Sequence, residues 1–238
     1  MLPRAVFFDM DDTLLNTSGG VDASWGAVCE EFSAALGCDP VTLRATIKAE
    51  MQRFWSDEAS VEREWRTRLE EARTHVIGLA LTREGLDVDR APNLSRRYWE
   101  ENSSRMRLFD DAIETLTSLR SSGFQVGLIT NGPASMQRWK IGQFALESYF
   151  DVLVIEGEFG HGKPSPKVFQ HALAAVGVDP HQAWHVGDNL YADIAGAQSV
   201  GIHAAWIHRD RLEMGESPKA IPDRVIAHLD ELRTALEV

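Results

Sequence analysis

The sequence is poor in cysteine, in positive charge and in long apolar runs. Cys29 and Cys38 are the two cysteines in 238 residues, with no CxxC pair and no zinc-like spacing. Thiols so placed exclude a disulfide framework and a thiolate zinc site, and read as reduced, partly buried side chains. Lysine and arginine number 24 against 36 acids, for a net charge of −12. A surface of that sign lacks the basic footprint that nucleic acid or an anionic membrane requires. No run approaches the ~20 apolar residues of a membrane span. The opening MLPRAVFF meets acids at once and is too short for a signal peptide. The expectation is a soluble, cytoplasmic protein, a monomer or homodimer, with no nucleic-acid or membrane partner.

What is there is a repeated grammar. Five short, near-continuously apolar runs stand at residues 5–9, 125–130, 151–155, 183–188 and 204–207. Strands covered on both faces have this composition. Helix-like segments alternate with the later runs: DDAIETLTSLRSSG, with Asp110 as a cap and Gly123 as a stop, then SPKVFQHALAAVGV and ADIAGAQSVG. Such alternation predicts an α/β fold, a parallel, Rossmann-like sheet flanked by helices. The stretch 18–105 breaks the rhythm and holds no convincing strand. It reads as an all-helical insert, a cap, leaving 1–17 with 106–238 as the core. In its segment SVEREWRTRLEEAR the pairs Glu62–Arg66 and Glu64–Arg68 fall at i, i+4.

Ligands of open parallel sheets bind at the carboxyl ends of the strands. The first run ends in Asp9-Met10-Asp11-Asp12-Thr13, the second in Thr130-Asn131-Gly132. Gly162-Lys163-Pro164 follows the third, and the fourth ends in Gly187-Asp188-Asn189, with Asp193 beyond. Crowded carboxylates repel one another and resist burial, so a divalent cation is expected among them. Asp9, last in its strand, can attack phosphorus and form an aspartyl-phosphate. Asp11, two residues on, can protonate the leaving oxygen and then activate water. Magnesium takes oxygen ligands, which Asp9, Asp188 and a main-chain carbonyl near Asp11 can supply. Thr130 and the amides around Asn131 and Gly132 can bind phosphate oxygens. Lys163 supplies a fixed positive charge for the phosphoryl group and for Asp9.

This ordered set (DMDDT, LITNG, GKPSP and GDNLYAD) resembles the haloacid dehalogenase superfamily, phosphatase type, over residues 5 to about 207. The resemblance implies a Rossmann-like core, a helical cap after the first motif, and Mg2+-dependent hydrolysis of a small phosphorylated metabolite. Carried over by position, Asp9 is the nucleophile, Asp11 the acid/base and metal neighbour, Lys163 the charge stabiliser and Asp188 the metal ligand. Thr130, Asn131 and Gly132 are the phosphate binders. Asn189 and Asp193 lie one layer back, Asp193 placed to orient Lys163 or a metal-bound water, or else to serve as a plain helix residue. Three other readings stand beside it: a sugar-phosphate mutase, which keeps the same core motifs, a haloacid dehalogenase, or a non-catalytic binding module. Asp11 weighs against the dehalogenase, and the intact acids and lysine weigh against the binding module.

Other features read as structural. Trp25, Trp55, Trp65 and Trp99 lie in the insert and read as helix packing. His203 and His208 are i, i+5 and share no helix face. His171, His181 and His228 have no sequence partners, and His161 is a loop residue near Lys163.

Overall fold

The computed structural model describes residues 3–56, 63–209 and 220–236. The chain divides into two compact units, Met1–Asn16 with Arg107–Val238, and Thr17–Met106. Among the described residues no helix is long and apolar enough to cross a membrane.

The first unit is built on a six-stranded sheet. Its strands are β1 (Ala5–Phe8), β4 (Gln125–Thr130), β5 (Val152–Ile155), β6 (Ala183–Gly187), β7 (His203–Ile207) and β8 (Arg224–Ile226). The short ribbon β2 (Leu15–Asn16) and β3 (Arg107–Leu108) pairs antiparallel beside it. The order is β5-β4-β1-β6-β7-β8, and every neighbouring pair is parallel. The apolar runs thus form the sheet that their composition predicts. Central β1 is fully buried, which explains why AVFF carries no polar residue. The chain builds outward from β1 on one side through β4 and β5, then crosses to β6, β7 and β8. That reversal opens a crevice beyond the end of β1, where parallel sheets place their ligands. Strand β8 is absent from the sequence reading because RVI is a three-residue edge strand with Arg224 and Val225 exposed.

The second unit is helical: α1 (Val21–Leu36), α2 (Pro40–Trp55), α3 (Arg63–Thr67), α4 (Leu69–Arg83) and α5 (Ala91–Arg105). Its core gathers Trp25, Val28, Leu43, Ile47, Ile77 and Leu94. Trp25 stacks on Tyr98 at 4.0 Å between ring centroids. Asp39 caps α2 by accepting the Thr42 N–H at 2.8 Å, with Pro40 at the first helical position. Helices α3 and α4 are separated at Arg68, whose φ −127 and ψ 49 leave the helical region. Glu62 and the side chain of Glu64 lie outside the described residues.

The core helices are α6 (Ala112–Ser121), α7 (Ala134–Gln143), α8 (Glu156–Phe159), α9 (Pro166–Val176), α10 (Gly196–Gln198) and α11 (Asp230–Leu236). Helix α9 starts on Pro166 and stops at Gly177, which takes the left-handed φ of 65°. Phe7, Ile129, Val154, Phe169 and Ile194 form the apolar layer between sheet and helices. Two expectations change. The residue before α6 is Asp111 rather than Asp110, and its carboxylate makes no cap bond. It accepts Arg209 Nη1 at 3.1 Å and the Leu229 N–H at 2.8 Å instead. The helix expected over ADIAGAQSVG is a π-helical turn, Leu190–Ala195, running into α10.

Candidate active site

Because the strands are parallel, their last residues share one edge of the sheet. Asp9 follows β1, with its N–H donating to the Val186 carbonyl at 2.9 Å. Thr130 ends β4, Glu156 follows β5, and Asp188 follows β6. The Trp206 indole N–H donates to the Asp188 carbonyl at 2.7 Å and so ties the β6 end to β7.

Lys163 lies at the centre, 2 % exposed. Its Nζ is 2.5 Å from Asp9 Oδ1 and 2.6 Å from Asp193 Oδ1. Asn131 sets its backbone, accepting the Lys163 N–H at 2.7 Å and donating Nδ2–H to the Lys163 carbonyl at 2.9 Å. Asp193 is buried beneath. Its Oδ1 also accepts His185 Nε2–H at 2.9 Å, and its Oδ2 accepts the Asn189 N–H at 3.0 Å. Gly187 leaves room for that carboxylate, since a Cβ there would collide with the Asp193 side chain. Asn189 Oδ1 accepts the Tyr191 and Ala192 N–H groups and caps the π-turn that carries Asp193.

The electrostatics follow from burial and partners. Burial pulls the Lys163 ammonium down, but Asp193 and Asp9 outweigh it and hold it above the ordinary lysine value. Burial pushes Asp193 up, and Lys163 with His185 more than reverses this, holding it well below the usual carboxylate range. Burial keeps His185 below its ordinary value, so the neutral ring donates to Asp193. Asp9 is raised well above its usual value by burial; Lys163 opposes this, and Asp193, Asp188 and Asp11 add to it. Asp188 is pushed up to about 7 by desolvation, then by Asp193 and Asp12.

One lysine therefore faces more negative charge than it can balance. Carboxylate oxygens of Asp9, Asp188 and Asp193 lie within 4.8 Å of one another. Both Asp193 oxygens are already engaged, which leaves Asp9 and Asp188 as the acids with capacity for a cation. An all-oxygen donor set with this excess charge fits a hard dication such as Mg2+.

Asp11 stands apart from that cluster. Lys140 Nζ is 2.8 Å from each of its carboxylate oxygens, and Gln137 Nε2 is 3.1 Å from Oδ2. Gln137 Nε2 also reaches Thr130 Oγ1 at 2.8 Å and the Asn131 carbonyl at 2.5 Å. The Gly132 N–H donates to Glu156 Oε2 at 3.0 Å, so a phosphate contact through that amide requires this bond to open. Asp12 takes a left-handed φ of 57° in the turn after β1.

The structure thus gathers Asp9, Lys163, Asp188 and Asp193 closely, and links Asp11 to Thr130 through Gln137. Sequence reasoning missed Gln137, Lys140, Glu156 and His185. Glu156 had a signal, an acid directly after a buried strand, as at Asp9. His185 had another, an imidazole inside an otherwise apolar strand.

The sequence pattern of the haloacid dehalogenase-like hydrolases matches residues 3–201. The chain belongs to that family and is a hydrolase. It is 37% identical to a phosphoserine phosphatase of Thermus thermophilus over 160 residues, spanning 67% of this chain and 63% of the relative. It is 31% identical to the N-acylneuraminate-9-phosphatase of Mus musculus, across 98% of this chain and 94% of the relative. A crystal structure of a phosphatase of this family from Thermococcus onnurineus superposes with a TM-score of 0.69 at 30% identity, covering 98% of this chain and 97% of the other.

Proposed function

We propose that this hydrolase is a cytoplasmic, Mg2+-dependent phosphatase of small phosphorylated metabolites that works through an aspartyl-phosphate on Asp9. The observation that carries the reading is the placement of Asp9 at the end of the central strand, one oxygen on Lys163 and the other without a partner among the described residues. Two of the relatives named above are a phosphoserine phosphatase and an N-acylneuraminate-9-phosphatase, which supports the substrate class.

Asp9 and Asp188, with the Asp11 main-chain carbonyl, would hold the cation. When bound, it supplies charge compensation that lets an anionic phosphate enter an acidic site. The protein's own groups do the rest. The Asp9 oxygen attacks phosphorus while Lys163 balances charge on the phosphoryl oxygens. Asp11 gives a proton to the departing ester oxygen, and the alcohol leaves. Asp11, now a carboxylate, takes a proton from water, whose oxygen attacks the aspartyl-phosphate. Phosphate is released and Asp9 is restored. The Thr130 hydroxyl accepts from Gln137, which leaves its own proton free to donate to a phosphate oxygen.

The test is a panel of phosphate monoesters assayed with Mg2+. Hydrolysis should stop on chelation and return with added Mg2+. Asp9→Asn should lower kcat by roughly 10³-fold or more. Undiminished turnover by Asp9→Asn would overturn the nucleophile assignment.

A further inference from the structure

Helix α7 carries two polar side chains that point inward. Gln137 is 1 % exposed and Lys140 4 %, three residues apart and hence on one helix face. A buried ammonium is costly unless well partnered, and an apolar side chain would pack the same space at lower cost. The partner is Asp11. Lys140 binds both its oxygens at 2.8 Å, and Gln137 adds a third contact at 3.1 Å. Three acceptors surround Gln137 Nε2, which fixes its amide orientation. The carboxylate is held on one side only, and its side chain remains 32 % exposed on the other. A proton donor must sit within about 3 Å of the leaving oxygen, and a misplacement of about 1 Å can cost 10²-fold in rate.

We infer that Lys140, with Gln137, is a positioning pair for Asp11, fixing the direction of its carboxyl group so that the acid form faces the leaving oxygen and the carboxylate left behind faces the incoming water, whose proton restores it, and joining it to Thr130. The inference rests on the reading of Asp11 as the acid/base. Neither residue touches the reacting atoms; both act through Asp11.

Leaving-group dependence separates this role from a structural one. A p-nitrophenolate leaves with little help from an acid, whereas an alkoxide needs the proton. Values of kcat/KM, which report on the phosphoryl-transfer step, are measured for p-nitrophenyl phosphate and for glycerol 2-phosphate. Lys140→Met should lose roughly 30-fold on the alkyl ester and less than about threefold on the aryl ester. Lys140→Arg, which keeps charge and paired donors, should recover most of the alkyl loss. Thermal melting verifies folding, and Lys140→Gln serves should Lys140→Met not fold. Asp11→Asn is the reference and should show the same asymmetry, larger in size. If Asp11→Asn is asymmetric while the Lys140 variants lose equally on both esters or not at all, the positioning role is wrong and the acid/base reading survives. If Asp11→Asn shows no asymmetry, the acid/base reading fails and the inference falls with it.

Discussion

Lys163 keeps its charge in a nearly closed site because two carboxylates face one ammonium. Asp193 is the inner of the two, and its remaining lone pairs are taken by His185 and the Asn189 N–H. Each Asp193 oxygen thus has at least one donor, as a buried charge requires, while His185 Nδ1 is left without a hydrogen-bond partner among the described residues. Asp193→Asn should therefore destabilise the protein by about 3 kcal/mol, the low end for breaking a buried pair, since Asp9 still faces Lys163. Urea unfolding measures this, and a loss below about 0.5 kcal/mol would show that Asp193 is not the counter-ion. At this scale the motif residues Asp9, Asp11, Thr130, Lys163 and Asp188 were legible because each stands at a strand end or in a tight turn. Lys140 and Gln137 were not, because a helix interior hides which face turns toward Asp11.

The elements show the same division. Runs 5–9, 125–130, 151–155, 183–188 and 204–207 became strands within a residue or so at each end, since a strand buried on both faces leaves a continuous apolar signature. The π-helical turn at Leu190–Ala195 gave no such signature. Its form follows from the local cap by Asn189 together with the reach of Asp193 toward Lys163, which is a tertiary demand. Helix α7 offers a paired test of packing around the site. Gly142 is exposed near its end with nothing close to an added Cβ, so Gly142→Ala should stabilise by about 0.5–1 kcal/mol. Gly157 lies against the start of α7, where a Cβ would strike the Ala134 N–H and the Gly132 carbonyl. Gly157→Ala should cost about 1–3 kcal/mol and lower turnover. Denaturation midpoints and kcat for both variants decide; equal effects would count against the close contact.

At the scale of the whole molecule, a net charge of −12 and an unbalanced acid cluster make stability depend on protons and cations. Asp188, pushed up to about 7, binds a proton more tightly in the folded protein than in the unfolded chain. Between roughly pH 4 and 7 the native state then holds the extra proton, so this contribution to stability is lost as pH rises through the window. A divalent cation held as proposed by Asp9 and Asp188 would take the proton's place. At about 100 times its Kd, Mg2+ should add near 2.7 kcal/mol, a Tm increase of roughly 5–10 °C for a chain of this size. The increase should grow from pH 5 to pH 8 and shrink in Asp188→Asn. A pH-independent increase, or one that Asp188→Asn leaves intact, would remove Asp188 from the cation site.

The sequence by itself determined the parallel sheet, the helical character of the described residues within 18–105 and the chemical types at the strand ends. These are local properties: apolar continuity, turn residues, and acids placed where no strand would choose them. Only the tertiary structure decided which groups share a charge. Lys163 meets Asp9 across 154 positions of chain and Lys140 meets Asp11 across 129. Such pairings depend on the order in which strands lie side by side and on which helix face turns inward. No local pattern encodes either, because both are set by how the whole apolar core closes.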